Sequence, residues 1–247
     1  VPAITVDRIR KSFGGVAAVR DVAFSVAAGE IFGILGPNGA GKTTTVECIA
    51  GTLEPDGGEI TVLGVDPARD RSFVRERVGY QLQSTALPAA LRVQEALELF
   101  ATFYDKPLEV DELLALVGLA EQRRRPFGKL SGGQKQRLSI ALALVGDPQV
   151  AVFDELTTGL DPQGRRDVWA LIRQVNERGI TVVLVTHYLD EAERLCDRLA
   201  VIDAGATRFV GTPAELLAVA HPDSEPWSLE DAYLAVLGSP AAATEAS

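Results

Sequence analysis

Gly36-Pro37-Asn38-Gly39-Ala40-Gly41-Lys42-Thr43 stands between an apolar run at 31–35 and a helical run reaching residue 50. A glycine-rich loop ending in Gly-Lys-Thr, set between strand and helix, is the pattern of a phosphate-binding P-loop. The glycines let backbone N–H groups curl around phosphate oxygens, and the helix N-terminus adds positive potential. Lys42 can reach the outer phosphates and Thr43 can ligate magnesium; Thr44 completes the expected phosphate-contacting set.

The rest of the chain suits such a core. At 247 residues it is one large domain or two closely joined lobes. Hydrophobic residues at 47%, charged residues at 23%, 23 Gly and 13 Pro exclude a disordered or fibrous chain. With 24 Lys and Arg against 34 Asp and Glu, the net charge of −10 opposes nucleic acid and anionic lipid as partners. Cys48 and Cys196 cannot make a disulfide framework and read as reduced thiols. The longest apolar stretches, near 138–145 and 180–185, fall short of the roughly 18 residues of a membrane span. The N-terminus has no signal-peptide core, so a membrane role requires a separate membrane partner.

Hydrophobic patterning predicts strands at 4–9, 22–26, 31–35 and 59–63, with a turn at Pro55-Asp56-Gly57-Gly58. Between 89 and 147 strand signals give way to helical runs, for example 93–103 and 111–117. Strand and helix then alternate through 150–154, 162–178, 181–186, 189–197 and 198–203, which predicts a mostly parallel sheet with helices on its faces. Asp161 as N-cap, Pro162 after it and Gly179 at the end delimit one helix, with Val168, Leu171, Ile172 and Val175 on its buried side.

Two further segments carry chemistry. The buried-strand run Val150-Ala151-Val152-Phe153 ends in Asp154 and Glu155, as a Walker B segment does, at the strand end where open α/β sheets bind ligands. Asp154 would hold magnesium through water, and Glu155 would orient or deprotonate an attacking water. Leu130-Ser131-Gly132-Gly133-Gln134 satisfies the capping-box rule through Ser131 and Gln134. A cap alone does not require two glycines, which fit an exposed helix N-terminus that a phosphate can approach.

With that segment the chain, over roughly residues 4–237, resembles the nucleotide-binding subunit of ATP-binding cassette (ABC) transporters, Leu130 to Gln134 being its signature motif. The resemblance implies a P-loop NTPase core of ABC type, with an antiparallel β subdomain and a helical subdomain. It divides the chain into residues 1–88 (P-loop core and β subdomain), 89–149 (helical signature subdomain), 150–212 (second part of the core) and 213–247 (helical tail). Phe13 matches the aromatic that stacks on adenine. Gln83 matches the Q-loop glutamine that joins the magnesium site to the helical lobe. Thr158-Gly159-Leu160-Asp161 resembles the D-loop and His187 the switch histidine that contacts the γ-phosphate. ATP and Mg2+ are the implied cofactors. Glu155, His187, Lys42 and Gln83 are the implied catalytic set, and Thr43, Gln83 and Asp154 the magnesium set. Leu156 departs from the family, which commonly has proline there.

The resemblance further implies a homodimer or heterodimer of such subunits packed head to tail, each ATP lying between one P-loop and the other subunit's signature helix. Membrane-spanning permease subunits would dock on the helical lobe near Gln83, placing the chain in the cytoplasm on the inner face of the cell membrane. Ser228-Leu229-Glu230-Asp231-Ala232-Tyr233-Leu234 is similar to the terminal helix of drug, antibiotic and polysaccharide export ATPases, and 157–162 also looks like that branch. The expected function is ATP hydrolysis powering an exporter. An import ATPase is the alternative in the same fold. A soluble ABC ATPase acting as a nucleotide-gated clamp is the other, which the charge disfavours. Arg123-Arg124-Arg125 reads as a solvated face or as a contact for acidic residues of a partner.

Overall fold

The computed structural model describes residues 1–81, 87–220 and 228–238. In chain order the elements are β1 (Pro2–Phe13), β2 (Val16–Ala27), β3 (Ile31–Leu35), α1 (Lys42–Ile49), β4 (Gly57–Val62), α2 (Arg71–Arg77) and β5 (Val78–Gln81). There follow α3 (Val93–Ala101), α4 (Val110–Leu116), α5 (Gly132–Leu144), β6 (Val150–Asp154), α6 (Pro162–Glu177) and β7 (Thr181–Thr186). The chain continues with α7 (Leu189–Leu195), β8 (Arg198–Asp203), β9 (Ala206–Gly211), α8 (Pro213–Ala220) and α9 (Leu229–Gly238).

The strands join in the order β4-β1-β2-β9-β8-β3-β7-β6-β5. Strands β8, β3, β7, β6 and β5 are mutually parallel, whereas β1 pairs antiparallel with β2 and β4, and β8 with β9. This is the expected α/β core with an antiparallel β subdomain, and the helices α3, α4 and α5 between β5 and β6 form the helical insert.

Strand alternation builds the core on both faces. Ile31, Leu35, Ala151, Phe153, Val182 and Leu184 pack with the helical side, joining Leu97, Leu113, Leu138, Ile172 and Leu195. Phe32, Ile34, Val150, Val152, Val183 and Val185 face the β subdomain and α1, meeting Phe24, Val46, Ile49 and Val62. Phe24 and Phe32 stack with ring centroids 5.2 Å apart.

Register positions the chemistry. Leu35 pairs with Thr186, Asp154 with Val185 and Gln81 with Phe153. The carboxyl ends of β3, β5, β6 and β7 therefore reach one edge of the sheet, where the loop after each can converge.

Several elements differ from the sequence reading. Strands β1 and β2 extend to the hairpin at Gly14 and Gly15, beyond the apolar cores at 4–9 and 22–26. Gly57 and Gly58 belong to β4 instead of a turn; Asp56 makes the corner, accepting from the Ser12 N–H and from Lys11 Nζ, each at 2.7 Å. Helix α2 was not expected because its sequence is polar and it buries only Val74. Strand β9 was also missed, whereas helix α8 lies within the tail expected to be helical. Thr212 and Glu215 cap α8 reciprocally, at 3.1 and 2.7 Å, a Thr-x-x-Glu signal visible in the sequence. The tail helix starts at Leu229 and is capped by Ser228 and Asp231; it buries Leu229, Ala232 and Val236.

Candidate functional site: a phosphate loop and a separate signature cleft

The loop between β3 and α1 has the backbone that its glycines permit. Gly41 sits at φ 100° at the helix start, where a Cβ would stand 2.6 Å from the Ala18 carbonyl oxygen. A Cβ on Gly36 would meet the Ile202 carbonyl oxygen at 2.0 Å. Only glycine fits the first of these on both counts. Lys42 folds back over the loop and donates from Nζ to the carbonyls of Gly36 (2.8 Å) and Pro37 (3.0 Å). Burial lowers the Lys42 pKa, and the charges of Glu155 and Asp154 oppose that shift.

Asn38, Gly39, Gly41, Lys42, Thr43, Thr44 and Glu155, with Ala18 from β2, line one cavity of about 370 Å³. The P-loop and the end of β6 thus share a site, as their sequence positions predicted. Thr43 Oγ1 donates to Asp154 Oδ2 at 3.2 Å, and the other carboxylate oxygen, Asp154 Oδ1, is buried without a hydrogen-bond partner. Burial pushes the Asp154 carboxyl above its ordinary range; the Thr43 hydrogen bond and Lys42 pull it down, while Glu155 and Glu47 add to the rise. A hydroxyl beside an unsatisfied buried carboxylate oxygen is a hard-oxygen pair, which suits Mg2+, a cation that needs few protein ligands beside substrate phosphates. Among the described residues no group of three or more His, Cys, Asp and Glu could hold a metal ion.

Glu155 follows β6 in a left-handed conformation, φ 52°, and its N–H donates to the Val185 carbonyl at 2.9 Å. Its Oε1 lies 3.2 Å from His187 Nδ1, so the loop after β7 meets the loop after β6. Leu156, where proline was the family expectation, is completely buried in the core. It holds the turn by packing.

The signature residues form a different place. Ser131 and Gln134 make the predicted capping box: Gln134 N–H donates to Ser131 Oγ at 3.2 Å, and Ser131 N–H to Gln134 Oε1 at 3.0 Å. Ser131, Gly132, Gly133 and Gln134 line a cleft of about 540 Å³ together with Gly159, Leu160, Asp161, Gln163 and Gly164. Asp161 caps α6 there, accepting from Gly164 N–H at 2.7 Å. None of these residues lines the P-loop cavity.

Two expected residues stand apart. Phe13 lies at the end of β1, 49% exposed, under Lys11 Nζ at 5.8 Å from its ring centroid, and outside the lining of the P-loop cavity. Gln83 falls outside the described residues. Gln81, which the sequence reading did not single out, is buried and its Oε1 accepts from the Asp154 N–H at 3.3 Å. Of the arginine run, Arg123 braces the helical lobe, bonding Asp111 at 2.6 Å and Gln94 at 3.1 Å, while Arg124 and Arg125 are exposed.

Fold and site together define a nucleotide triphosphatase of the P-loop class. A family model described as ABC transporter matches residues 19–158. The chain is 42% identical over 221 residues to Nod factor export ATP-binding protein I of Paraburkholderia xenovorans (strain LB400), covering 87% of this chain and 73% of that protein. It is also 42% identical over 221 residues to daunorubicin resistance ATP-binding protein DrrA3 of Streptomyces coeruleorubidus, covering 87% and 70%. A solved ATP-binding subunit of an ABC transporter superposes with a TM-score of 0.83 at 27% identity, over 95% of this chain and 99% of that one. A dimeric post-hydrolysis ATP-binding cassette bound to ADP and Pi superposes with a TM-score of 0.74 at 26% identity, over 85% and 98%. The chain belongs to the ABC transporter family.

Proposed function

We propose that this chain is the ATP-hydrolysing subunit that powers an ABC exporter, working in pairs beneath a membrane-spanning permease. The observation that supports the catalytic reading is the convergence of Lys42, Thr43, Asp154, Glu155 and His187 at one sheet edge. Relatives named for Nod factor export and daunorubicin resistance favour export over import. Among the described residues no helix is long and apolar enough to cross a membrane. The working location is the cytoplasmic face of that membrane.

In this reading the loop amides and Lys42 hold the β- and γ-phosphates of ATP, and Lys42 Nζ exchanges its two loop carbonyls for phosphate oxygens. Mg2+ would be held by the Thr43 hydroxyl and Asp154, with Gln83 as a further ligand, and would neutralise phosphate charge. Glu155 accepts the proton of the attacking water, and His187, within hydrogen-bond reach of Glu155, orients it and meets the γ-phosphate. Phe13 supplies a ring for adenine.

Ser131 to Gln134 and Asp161 open into their own cleft, away from the P-loop cavity, so they serve the ATP of a second subunit packed head to tail. Leu99 and Phe103 expose apolar surface on the helical lobe, 48% and 66% open, and this reading gives that surface to the permease. Purification from native membranes tests the whole reading. It should recover the chain with an integral membrane protein and with ATPase activity. Recovery of a chain that neither hydrolyses ATP nor brings a membrane protein with it would overturn it.

A further inference from the structure

Glu191 is the buried acid that this mechanism leaves unused. It stands on α7, four residues after His187, with no exposed surface. Its Oε1 accepts from the Trp169 indole Nε1 at 2.9 Å, and its Oε2 is buried without a direct hydrogen-bond partner. The Thr157 hydroxyl is buried and equally unpartnered. Burial raises the Glu191 pKa, and the hydroxyl of Thr186, the indole of Trp169 and the hydroxyl of Thr157 act against the rise. The Trp169 indole on α6 thus fills one of the about four lone-pair sites of the carboxylate, and the hydroxyls of Thr157 and Thr186 stand close enough to bear on the rest.

Their places in the chain give the arrangement a purpose. Thr157 follows Glu155 by two residues, and Thr186 immediately precedes His187. Trp169 belongs to α6, where Arg165, Trp169 and Arg173 lie along one helix face at four-residue spacing. All three bind α7 or its flank: Arg165 pairs with Asp190 at 3.1 Å, Trp169 with Glu191, and Arg173 with the Arg194 carbonyl. We infer that Glu191 is a positioning residue for hydrolysis, a buried clamp between the Thr157 turn, the Thr186 strand end and α6 that fixes Glu155 against His187. The proposal rests on the roles given above to Glu155 and His187. Misplacing a reacting group by about 1 Å costs on the order of a hundredfold in rate, so a clamp remote from ATP can govern turnover without touching it.

The test compares Glu191→Leu, Glu191→Gln, Thr157→Val and Trp169→Phe in the intact protein, with kcat normalised to ATP-binding sites. Glu191→Leu should lower kcat by about tenfold or more with KM for ATP unchanged, because orientation and not binding is lost. Glu191→Gln keeps an acceptor for the indole and should recover most of that loss. Thr157→Val, which removes a hydroxyl at nearly constant shape, and Trp169→Phe, which removes the indole N–H with one ring, should lower kcat by roughly threefold or more, and do so less than additively with Glu191→Gln. These two variants decide the matter if Glu191→Leu fails to fold. A merely structural acid would reduce the number of binding sites and the melting temperature, with kcat per site intact; that result in all variants overturns the clamp. Glu155→Gln serves as the control: if it turns over normally, the underlying site reading fails, whereas its inactivity with normal Thr157→Val and Trp169→Phe kinetics refutes the clamp alone.

Discussion

Glu155→Gln separates chemistry from binding at this site. Glutamine keeps the length of the side chain and must adopt the same left-handed backbone, φ 52°, so strain on the order of 1 kcal/mol is common to both proteins. The loop amides, Lys42 and Thr43 are untouched, and ground-state phosphate contacts should survive. What disappears is a proton acceptor 3.2 Å from His187 at the mouth of the P-loop cavity. General-base catalysis is commonly worth about 10² to 10⁴ in rate, or roughly 3 to 5 kcal/mol of barrier. Turnover should therefore fall at least about a hundredfold while ATP affinity changes less than about threefold. Stability should change little. Glu155 repels Asp154 but attracts Lys42, so neutralising it removes one unfavourable and one favourable contact. A net effect of ~0.5 kcal/mol or less would move the nucleotide-free melting temperature by no more than about 2 °C in a chain of this size. Phosphate release, equilibrium ATP binding and thermal unfolding measure the three quantities on one preparation. Near-normal turnover would refute the base assignment. Turnover and ATP affinity lost together would show that Glu155 belongs to ground-state binding.

Mixing tests the shared site: Lys42→Ala and Ser131→Arg should each be nearly inactive alone, and part of the activity should return in a mixed dimer that retains one intact pair of halves. A cysteine at Ser131 should cross-link to one in the P-loop only between chains, and an efficient intrachain cross-link would contradict the head-to-tail arrangement. The proposed Mg2+ site requires an ionised Asp154, and burial holds the metal-free carboxyl above the ordinary carboxylate range, so Mg2+ affinity should weaken on acidification before an ordinary carboxylate would protonate, and binding should release protons. Calorimetry in two buffers of different ionisation heat reads that release, and pH-independent affinity would place the cation elsewhere. Phe103→Glu, in the exposed turn that follows α3, should leave ATP binding and melting intact but weaken association with the permease; unchanged co-purification would move the docking surface off this part of the helical lobe.

The loop, the strand ends and the caps were legible because their causes are local. Gly41 must take a left-handed φ where a Cβ would strike Ala18, and Asp154 and Glu155 end a run that can only be a buried strand. Ser131, Gln134 and Asp161 act on N–H groups three residues away. What escaped has distant causes. Helix α2 and strand β9 bury little and depend on neighbours far along the chain. Nothing in the sequence singles out Trp169 or Glu191, and only the packing of α6 on α7 brings them together. Gln81 likewise gains its contact with the Asp154 N–H from the pairing of β5 with β6.

One element spans the two halves of the site. The N-terminus of α6, capped by Asp161, opens into the signature cleft beside Ser131, while Trp169, eight residues on, holds Glu191. At 1.5 Å per residue those points are about 12 Å apart along a single helix. Val168, Leu171, Ile172 and Val175 press the helix onto the core, so it cannot bend easily between them. A second subunit that seats its ATP in the signature cleft would load the capped end of α6, and the same rigid helix carries the stripe that fixes α7 behind His187. Closure of the proposed dimer and alignment of Glu155 with His187 are then two displacements of one body. Hydrolysis would wait for the partner because the helix that greets the partner also seats the loop of the switch histidine.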